Sequence, residues 1–292
     1  MPQINKKNIK SPIVPTWCPG CGNFGILRAL YSAFEELELA QEEVLMTYGV
    51  GCGANAADFS RTYGIHGLHG RAIPPSIGAK LANHKLKVIA FAGDGGQYGE
   101  GLNHLLFAAR GNHDITMLVP NNNRYSLTTG QASPTTEKGT VTKTTPEGLI
   151  ERQFNPLATA LSCQASFVSR AYANDFKQLK SILKAALEHT GFSLVDILQP
   201  CVTFNKEYDF NWYKDHLEAL PEDHDVTDWH QACRYATGKD QAQPTDKLYT
   251  GIFYQNTQAP AYHQQVDSLD QGPLVEQWQS EVNLEPVIEH YL

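Results

Sequence analysis

A doubly wound, mostly parallel α/β sheet is the fold this sequence predicts, and three observations predict it. The runs Val44–Tyr48, Val88–Ala92 and Ile115–Val119 have the length and apolar composition of buried parallel strands. Between the second and third, Leu102, Leu105, Leu106 and Ala109 recur at helical spacing, and Gly111-Asn112 closes that helix. Strand, helix and strand in this order make a βαβ unit, whose crossover is right-handed. Asp94 and Asn122, 28 positions apart, stand just past the carboxyl ends of its two strands, the edge where open α/β sheets bind ligands.

The remaining elements follow in chain order. Residues 1–16 contain lysines but no long apolar stretch, so they read as an extended arm rather than a signal segment. Cys18-Pro19-Gly20-Cys21 is a tight turn ahead of a helix over Phe24–Leu37. From Gly64 to Pro75 glycine and proline break the chain, in a loop holding His66, His69 and Arg71, before a helix at Ile77–Ala82. Thr128–Thr145 is a Thr-, Ser-, Gly- and Pro-rich loop of the kind that carries function. Asn174 is placed to cap a helix running to about His189, with Phe176, Leu179, Ile182, Leu183, Ala186 and Leu187 as its stripe. Phe192–Leu198 returns to the sheet, so residues 17–204 form the α/β domain. Residues 205–292, polar, acidic and aromatic with weak periodicity, read as an extended C-terminal tail packing on the core or on a partner subunit.

Composition excludes several classes. A chain of 292 residues with 41% hydrophobic and 18% charged residues can bury a large core, and no run of 18 apolar residues is present to span a bilayer. A formal charge of −8 argues against nucleic acid, because phosphate binding needs a basic face. Six cysteines without a secretory leader make a disulfide framework unexpected and a cytoplasmic location the expectation.

Two constellations carry chemistry. Asp94, Asn122 and free loop carbonyls are hard oxygen ligands suited to magnesium carrying a diphosphate. A dinucleotide site is the competing reading, but Tyr98 stands where GxGxxG needs its third glycine. The GxGxxA run Gly49–Ala54 has no acidic residue about 20 positions on. The other constellation is sulfur. Cys-x-x-Cys alone is compatible with a redox dithiol, zinc or an iron–sulfur cluster. Cys52 and Cys201 also lie past strand ends, so four thiolates can converge on the Asp94 edge and ligate a 4Fe–4S cluster, with a structural zinc as the alternative. Cys163 and Cys233 read as ordinary thiols.

The Gly-Asp-Gly run followed by Asn-Asn resembles the diphosphate signature of thiamine diphosphate enzymes. The chain is more closely similar to the β subunits of 2-oxoacid:ferredoxin oxidoreductases, through Trp17–Gly22, Gly49–Cys52, Leu68–Arg71, Asn103-His104, Tyr125–Gln131, Ser133–Thr135, Cys201–Asn205 and Gly251–Tyr254. The resemblance covers roughly residues 12 to 265 and implies the thiamine diphosphate-binding fold. It also implies coenzyme A-dependent oxidative decarboxylation of a 2-oxoacid, or the reverse carboxylation, with electrons passed through one 4Fe–4S cluster to ferredoxin. By the same resemblance, magnesium is held by Asp94, Asn122 and the Arg124 carbonyl, and the cluster by Cys18, Cys21, Cys52 and Cys201. Val50, Gly51, Cys52, Gly53, His69, Ile73, Gly95, Gly96, Ser126 and Leu127 lie along the cofactor. The glutamate that activates thiamine comes from a different domain in such enzymes and has no counterpart here, so an α subunit is expected to supply it, in an αβ dimer or its double.

Two positions depart from the family. Gly96 replaces an acidic residue of many relatives. Thr129 replaces a lysine of several 2-oxoglutarate-using relatives, which leaves Arg71, Arg124 or the α subunit to meet a distal carboxylate. The run Ser126–Thr135 still resembles the 2-oxoglutarate branch more than the pyruvate branch. The alternatives are another 2-oxoacid, a non-redox thiamine decarboxylase with structural zinc, or an electron-transfer subunit without catalysis of its own.

Overall fold

Side chains alternate along the central strands between two apolar surfaces, and a sheet covered on both faces is the result. The computed structural model describes residues 3–5, 8–238, 247–277 and 285–291. The chain runs through α1 (Asn23–Glu36), β1 (Val44–Tyr48), α2 (Ala56–Phe59), β2 (Tyr63–His66), α3 (Ile73–Ala82) and β3 (Lys87–Phe91). Next come α4 (Leu102–Arg110), β4 (Thr116–Asn121) and a hairpin of β5 (Arg124–Tyr125) and β6 (Gln131–Ala132). α5 (Pro156–Ser162), β7 (Phe167–Tyr172), α6 (Phe176–Glu188) and β8 (Ser193–Leu198) complete the part expected from sequence. Beyond them lie α7 (Phe210–His216), β9 (Leu217–Ala219), α8 (Trp229–Thr237) and β10 (Leu248–Gln255).

The large sheet has the order β2-β1-β3-β4-β8-β7-β10-β9, parallel from β2 to β7 and antiparallel only between β7 and β10. On one face, α1 and α6 bury Ile26, Leu30, Leu179 and Leu183 against Met46, Ile89, Phe91 and Val195. On the other, α3, α4, α5 and α8 bury Ile73, Leu105, Leu161 and Ala232 against Val88, Ala90, Met117 and Leu194. Val88 and Ala90 thus face one core while Ile89 and Phe91 face the other, the period of two expected of a doubly wound strand.

β1 and β3 are neighbours, yet the chain leaves β1 toward β2 on one side and leaves β3 toward β4 on the other. The loops beyond their carboxyl ends therefore diverge and open a crevice, the topological switch point of an α/β sheet. Glycine turns at 49–53 and 93–96 line that crevice.

Three local differences from the sequence reading have physical causes. α6 is capped by Asp175, not Asn174: the Asp175 carboxylate accepts the Gln178 N–H at 3.0 Å. β2 arises in a segment read as a loop, and β7 in one for which the sequence reading assigns no element; β2 is exposed along its whole length, so no apolar signal marks it. Residues 205–292 are more than a tail, since β9 and β10 extend the sheet, although positions 239–246, 278–284 and 292 lie outside the described residues. In that region Tyr208 and Tyr213 form a small third core with Leu198. At the other end, Ile4 and Ile9 anchor the described part of the arm in the first core.

Candidate functional site

Two cavities meet at the crevice. The first, about 80 Å³, is lined by Val50, Gly51, Gly53, Gly93, Asp94, Gly95, Gly96, Arg124, Tyr125 and Thr128, among others. The second, about 330 Å³, is lined by Trp17, Asn23, Cys18, Cys21, Cys201 and Phe204, among others. Cys52, Asn122, Ser126 and Leu127 belong to both walls.

β3 delivers Asp94 to the floor of the first cavity. Its Oδ2 accepts the Ser133 hydroxyl at 2.5 Å and lies 2.7 Å from the Thr135 hydroxyl, and the Asn122 backbone N–H adds a third hydrogen bond. Burial nevertheless pushes this carboxyl up to about 6, with the hydrogen bonds pulling the other way. A buried carboxylate without a cation is costly, and a divalent ion beside it would reverse the shift. Asn122 is fixed on both sides: its Oδ1 accepts the Arg124 N–H at 3.1 Å, and its carbonyl accepts the Asn205 amide at 3.0 Å. Beneath it, the fully buried Asp196 accepts from Tyr98 at 3.0 Å, Asn121 at 2.9 Å and Arg170 at 3.0 Å, which rigidifies the end of β4.

The glycines here do different work. Gly51 has φ +136°, which only glycine adopts readily, and a Cβ built on it meets nothing within 4 Å. It faces the open space where a cofactor would lie. Gly95 is the opposite case: its Cβ would fall 2.4 Å from the Tyr125 ring, so glycine lets that ring close the floor. The Tyr125 hydroxyl reaches the Gly95 carbonyl and the Glu100 carboxylate, both at 3.3 Å, while His69 Nδ1 sits 3.0 Å from Glu100.

The second cavity belongs to sulfur. The Cys21 N–H closes a turn on the Cys18 carbonyl at 2.9 Å, and Gly20 takes φ +84° within it. The Trp17 indole donates to the Cys52 carbonyl at 2.6 Å, and Ser126 contacts the Cys201 thiol at 3.3 Å. Burial raises the Cys21 and Cys52 thiols, Cys52 to about 11, and the neighbouring thiols add to the rise in each. Such a set becomes thiolate only around a positive core. Among the described residues no three His, Cys, Asp or Glu side chains are placed to hold one metal ion. Cys18, Cys21, Cys52 and Cys201 nonetheless share the wall of one cavity of about 330 Å³, which has room for more than a single ion. Cys163 and Cys233 pack in the opposite core, away from this group.

Of the residues singled out from sequence, Val50, Gly51, Cys52, Gly53, His69, Asp94, Gly95, Gly96, Asn122, Arg124, Ser126 and Leu127 line the first cavity. Ile73 does not: it is fully buried at the head of α3 in the second core, where its branched side chain packs. Arg71 also lies outside the walls, its guanidinium donating to the Glu100 carbonyl at 2.9 Å. The Arg124 guanidinium is turned away to the Asn123 carbonyl at 2.8 Å and to Glu207 at 3.2 Å. Thr129, at φ +81°, sits beside the rim and accepts a hydrogen bond from Lys143 at 3.2 Å. Sequence reasoning misses Lys143, and it leaves Ser133, Thr135 and Gln199 without individual roles. Gln199 is within its reach, because it directly follows β8 at the ligand edge; Lys143 has no local signal at all. Among the described residues no helix is long and apolar enough to cross a membrane.

Comparison with known proteins agrees with this geometry. Residues 47–197 match the family described as thiamine pyrophosphate enzyme, C-terminal TPP binding domain, and residues 201–271 match the family of the C-terminal region of the pyruvate ferredoxin oxidoreductase beta subunit. The 2-oxoacid:ferredoxin oxidoreductase subunit beta of Saccharolobus solfataricus is 41% identical over 261 residues, covering 86% of this chain and 85% of that one. The 2-oxoglutarate oxidoreductase subunit KorB of Mycobacterium tuberculosis is 44% identical over 189 residues, covering 65% of this chain and 51% of the relative. Among solved structures, the 2-oxoglutarate:ferredoxin oxidoreductase from Magnetococcus marinus, with 2-oxoglutarate, coenzyme A and succinyl-CoA bound, superposes with a TM-score of 0.89. It is 33% identical and covers 99% of both chains.

Proposed function

The chain belongs to the β subunits of the 2-oxoacid:ferredoxin oxidoreductases, which depend on thiamine diphosphate, and from that premise we propose the chemistry of its two cavities. It is half of an enzyme that decarboxylates 2-oxoglutarate oxidatively, or runs the reverse carboxylation, with coenzyme A as acyl acceptor and ferredoxin as electron partner. The observation that carries this reading is the shared wall. Cys52, Asn122, Ser126 and Leu127 separate an oxygen-ligand pocket from a four-thiol pocket by one layer of residues.

Each residue then has a task. Asp94, Asn122 and the Arg124 carbonyl would hold magnesium against the diphosphate, and the backbone of Gly95 and Gly96 would lie along it. Gly51 leaves the space a cofactor ring needs, and Cys18, Cys21, Cys52 and Cys201 would hold a 4Fe–4S cluster. When bound, thiamine supplies an electron sink for decarboxylation and the cluster a one-electron outlet. His69, Glu100 and Tyr125 form a hydrogen-bonded rim positioned to orient what enters, while Leu127, half exposed, covers the mouth. The activating glutamate and most of the substrate pocket fall to the α subunit. Accordingly, 2-oxoacid-dependent ferredoxin reduction is expected from the co-purified complex and not from this chain alone. Activity of the isolated chain would refute the division of labour.

Lys143 supports 2-oxoglutarate as the substrate. Where some relatives carry a lysine, Thr129 here holds the ammonium of Lys143 at its hydroxyl, so a positive charge stands at that rim from another part of the loop. A contact between this ammonium and a distal carboxylate, at an exposed rim, falls at the low end of the roughly 1.5–3 kcal/mol range for charged hydrogen bonds. Lys143→Ala is therefore expected to lower kcat/KM for 2-oxoglutarate about tenfold, through KM, and to leave pyruvate turnover unchanged. Equal losses for both acids would remove Lys143 from substrate recognition.

A further inference from the structure

Two side-chain amides in this region have no task in the proposed chemistry. Asn23, 2% exposed, opens α1 two residues after Cys21 and lines the thiol cavity, and neither atom of its amide has a hydrogen-bond partner among the described residues. Gln199, also 2% exposed, donates from Nε2 to the Cys21 sulfur at 3.4 Å, while its buried Oε1 has no hydrogen-bond partner among the described residues. The backbone makes room for it: a Cβ on Gly22 would fall 2.6 Å from Gln199 Cγ. Buried polar groups are retained at a cost unless something satisfies them. Gln199 already reaches a cysteine sulfur, and Asn23 stands in the wall of the cavity that the four cysteines line, where a bound group would meet its amide.

We propose that Gln199 and Asn23 are positioning residues that donate N–H···S hydrogen bonds to the sulfur-held cluster and set its reduction potential. The inference rests on the cluster reading above. The reduced cluster carries one more negative charge than the oxidised one, so donors to sulfur stabilise it more and raise the potential. Gln199 also lines the wall of the Asp94 pocket, so the same amide lies where an electron would pass from one cavity to the other.

The test is an EPR-monitored potentiometric titration of the purified complex with its α subunit, alongside iron and acid-labile sulfide analysis. The cluster signal is assigned by its loss in Cys201→Ser. Gln199→Leu and Asn23→Leu are each expected to shift the midpoint to more negative potential with full iron and sulfide content, and Cys163→Ser to leave it in place. If a leucine variant fails to assemble, the near-isosteric Gln199→Glu and Asn23→Asp keep the volume and exchange a donor for an acceptor. They are expected to shift the midpoint the same way. An assembled cluster with an unchanged midpoint in these variants overturns the inference. Absence of iron and sulfide from the wild-type complex overturns the cluster reading itself.

Discussion

Asp94→Ala is expected to abolish 2-oxoacid-dependent ferredoxin reduction by the complex while leaving the iron and sulfide content untouched. The residue is 1% exposed, and its carboxylate is held by Ser133, Thr135 and the Asn122 N–H, with no cationic side chain in contact among the described residues. Removing one partner of a buried charge pair costs on the order of 3–5 kcal/mol. Applied to a magnesium–diphosphate anchor, that is a factor of roughly 10²–10³ or more in turnover. Thiamine diphosphate binding, followed by fluorescence quenching or calorimetry, is expected to fail in parallel. The stability of the metal-free chain moves in the other direction. Folding raises this carboxyl from 3.8 to about 6, so the folded state holds the proton more tightly than the unfolded one. The ionised side chain therefore opposes folding above about pH 6, and the penalty fades as the pH falls toward 4. Asp94→Asn keeps the shape and removes the charge. It is expected to raise the Tm of the metal-free chain at pH 8, by an amount corresponding to on the order of 2–3 kcal/mol. Full activity in Asp94→Ala, or a clear loss of apo stability in Asp94→Asn, would leave Asp94 a capping residue of a glycine turn.

Much of this site is legible in the sequence because its parts are tied to strand ends. A buried parallel strand announces itself by five apolar residues, and the residues just after it lie on the ligand edge by topology. That is why Asp94, Asn122, Cys52 and Cys201 can be placed on one edge from the sequence. The contacts that are not legible depend on distance along the chain. Ser133 and Thr135 reach back to Asp94 across 39 and 41 positions, and Lys143 meets Thr129 only because the loop between them folds over. Ile73 shows the converse. It neighbours the His69 loop in sequence, but α3 begins at it and turns it into the core. β10 escapes for a different reason: tyrosines, threonine and glycine blur its alternation, and its place in the sheet comes from pairing with β7, after which the three-residue β9 adds to its far side. Local pattern fixes which residues end a strand, whereas the second layer of contacts comes from tertiary closure.

Cys201→Ser is expected to empty the thiol cavity of iron and sulfide while thiamine diphosphate binding persists. Cys201 reaches the cavity from the end of β8, whereas Cys18 and Cys21 precede α1 and Cys52 follows β1, so the four sulfurs are carried by three separate segments. A cluster bound across three segments loses one corner when one thiol is replaced, and serine, with a far less acidic hydroxyl than a thiol, is a much poorer ligand to iron than a thiolate. Cys201 is buried and touches the Ser126 hydroxyl, so the substitution exchanges one small polar group for another and the fold is expected to survive, with circular dichroism unchanged. Cys163→Ser and Cys233→Ser lie in the opposite core and are expected to retain full iron content and absorbance near 400 nm. The result also separates the remaining readings. A zinc site would show zinc and no brown absorbance in the wild type. An electron-transfer subunit without catalysis of its own would lose electron transfer in Cys201→Ser but keep it in Asp94→Ala. Two cavities that share Cys52 but serve separate steps predict that Cys201→Ser, supplied with an artificial one-electron acceptor, still releases CO₂ from the 2-oxoacid while ferredoxin stays oxidised.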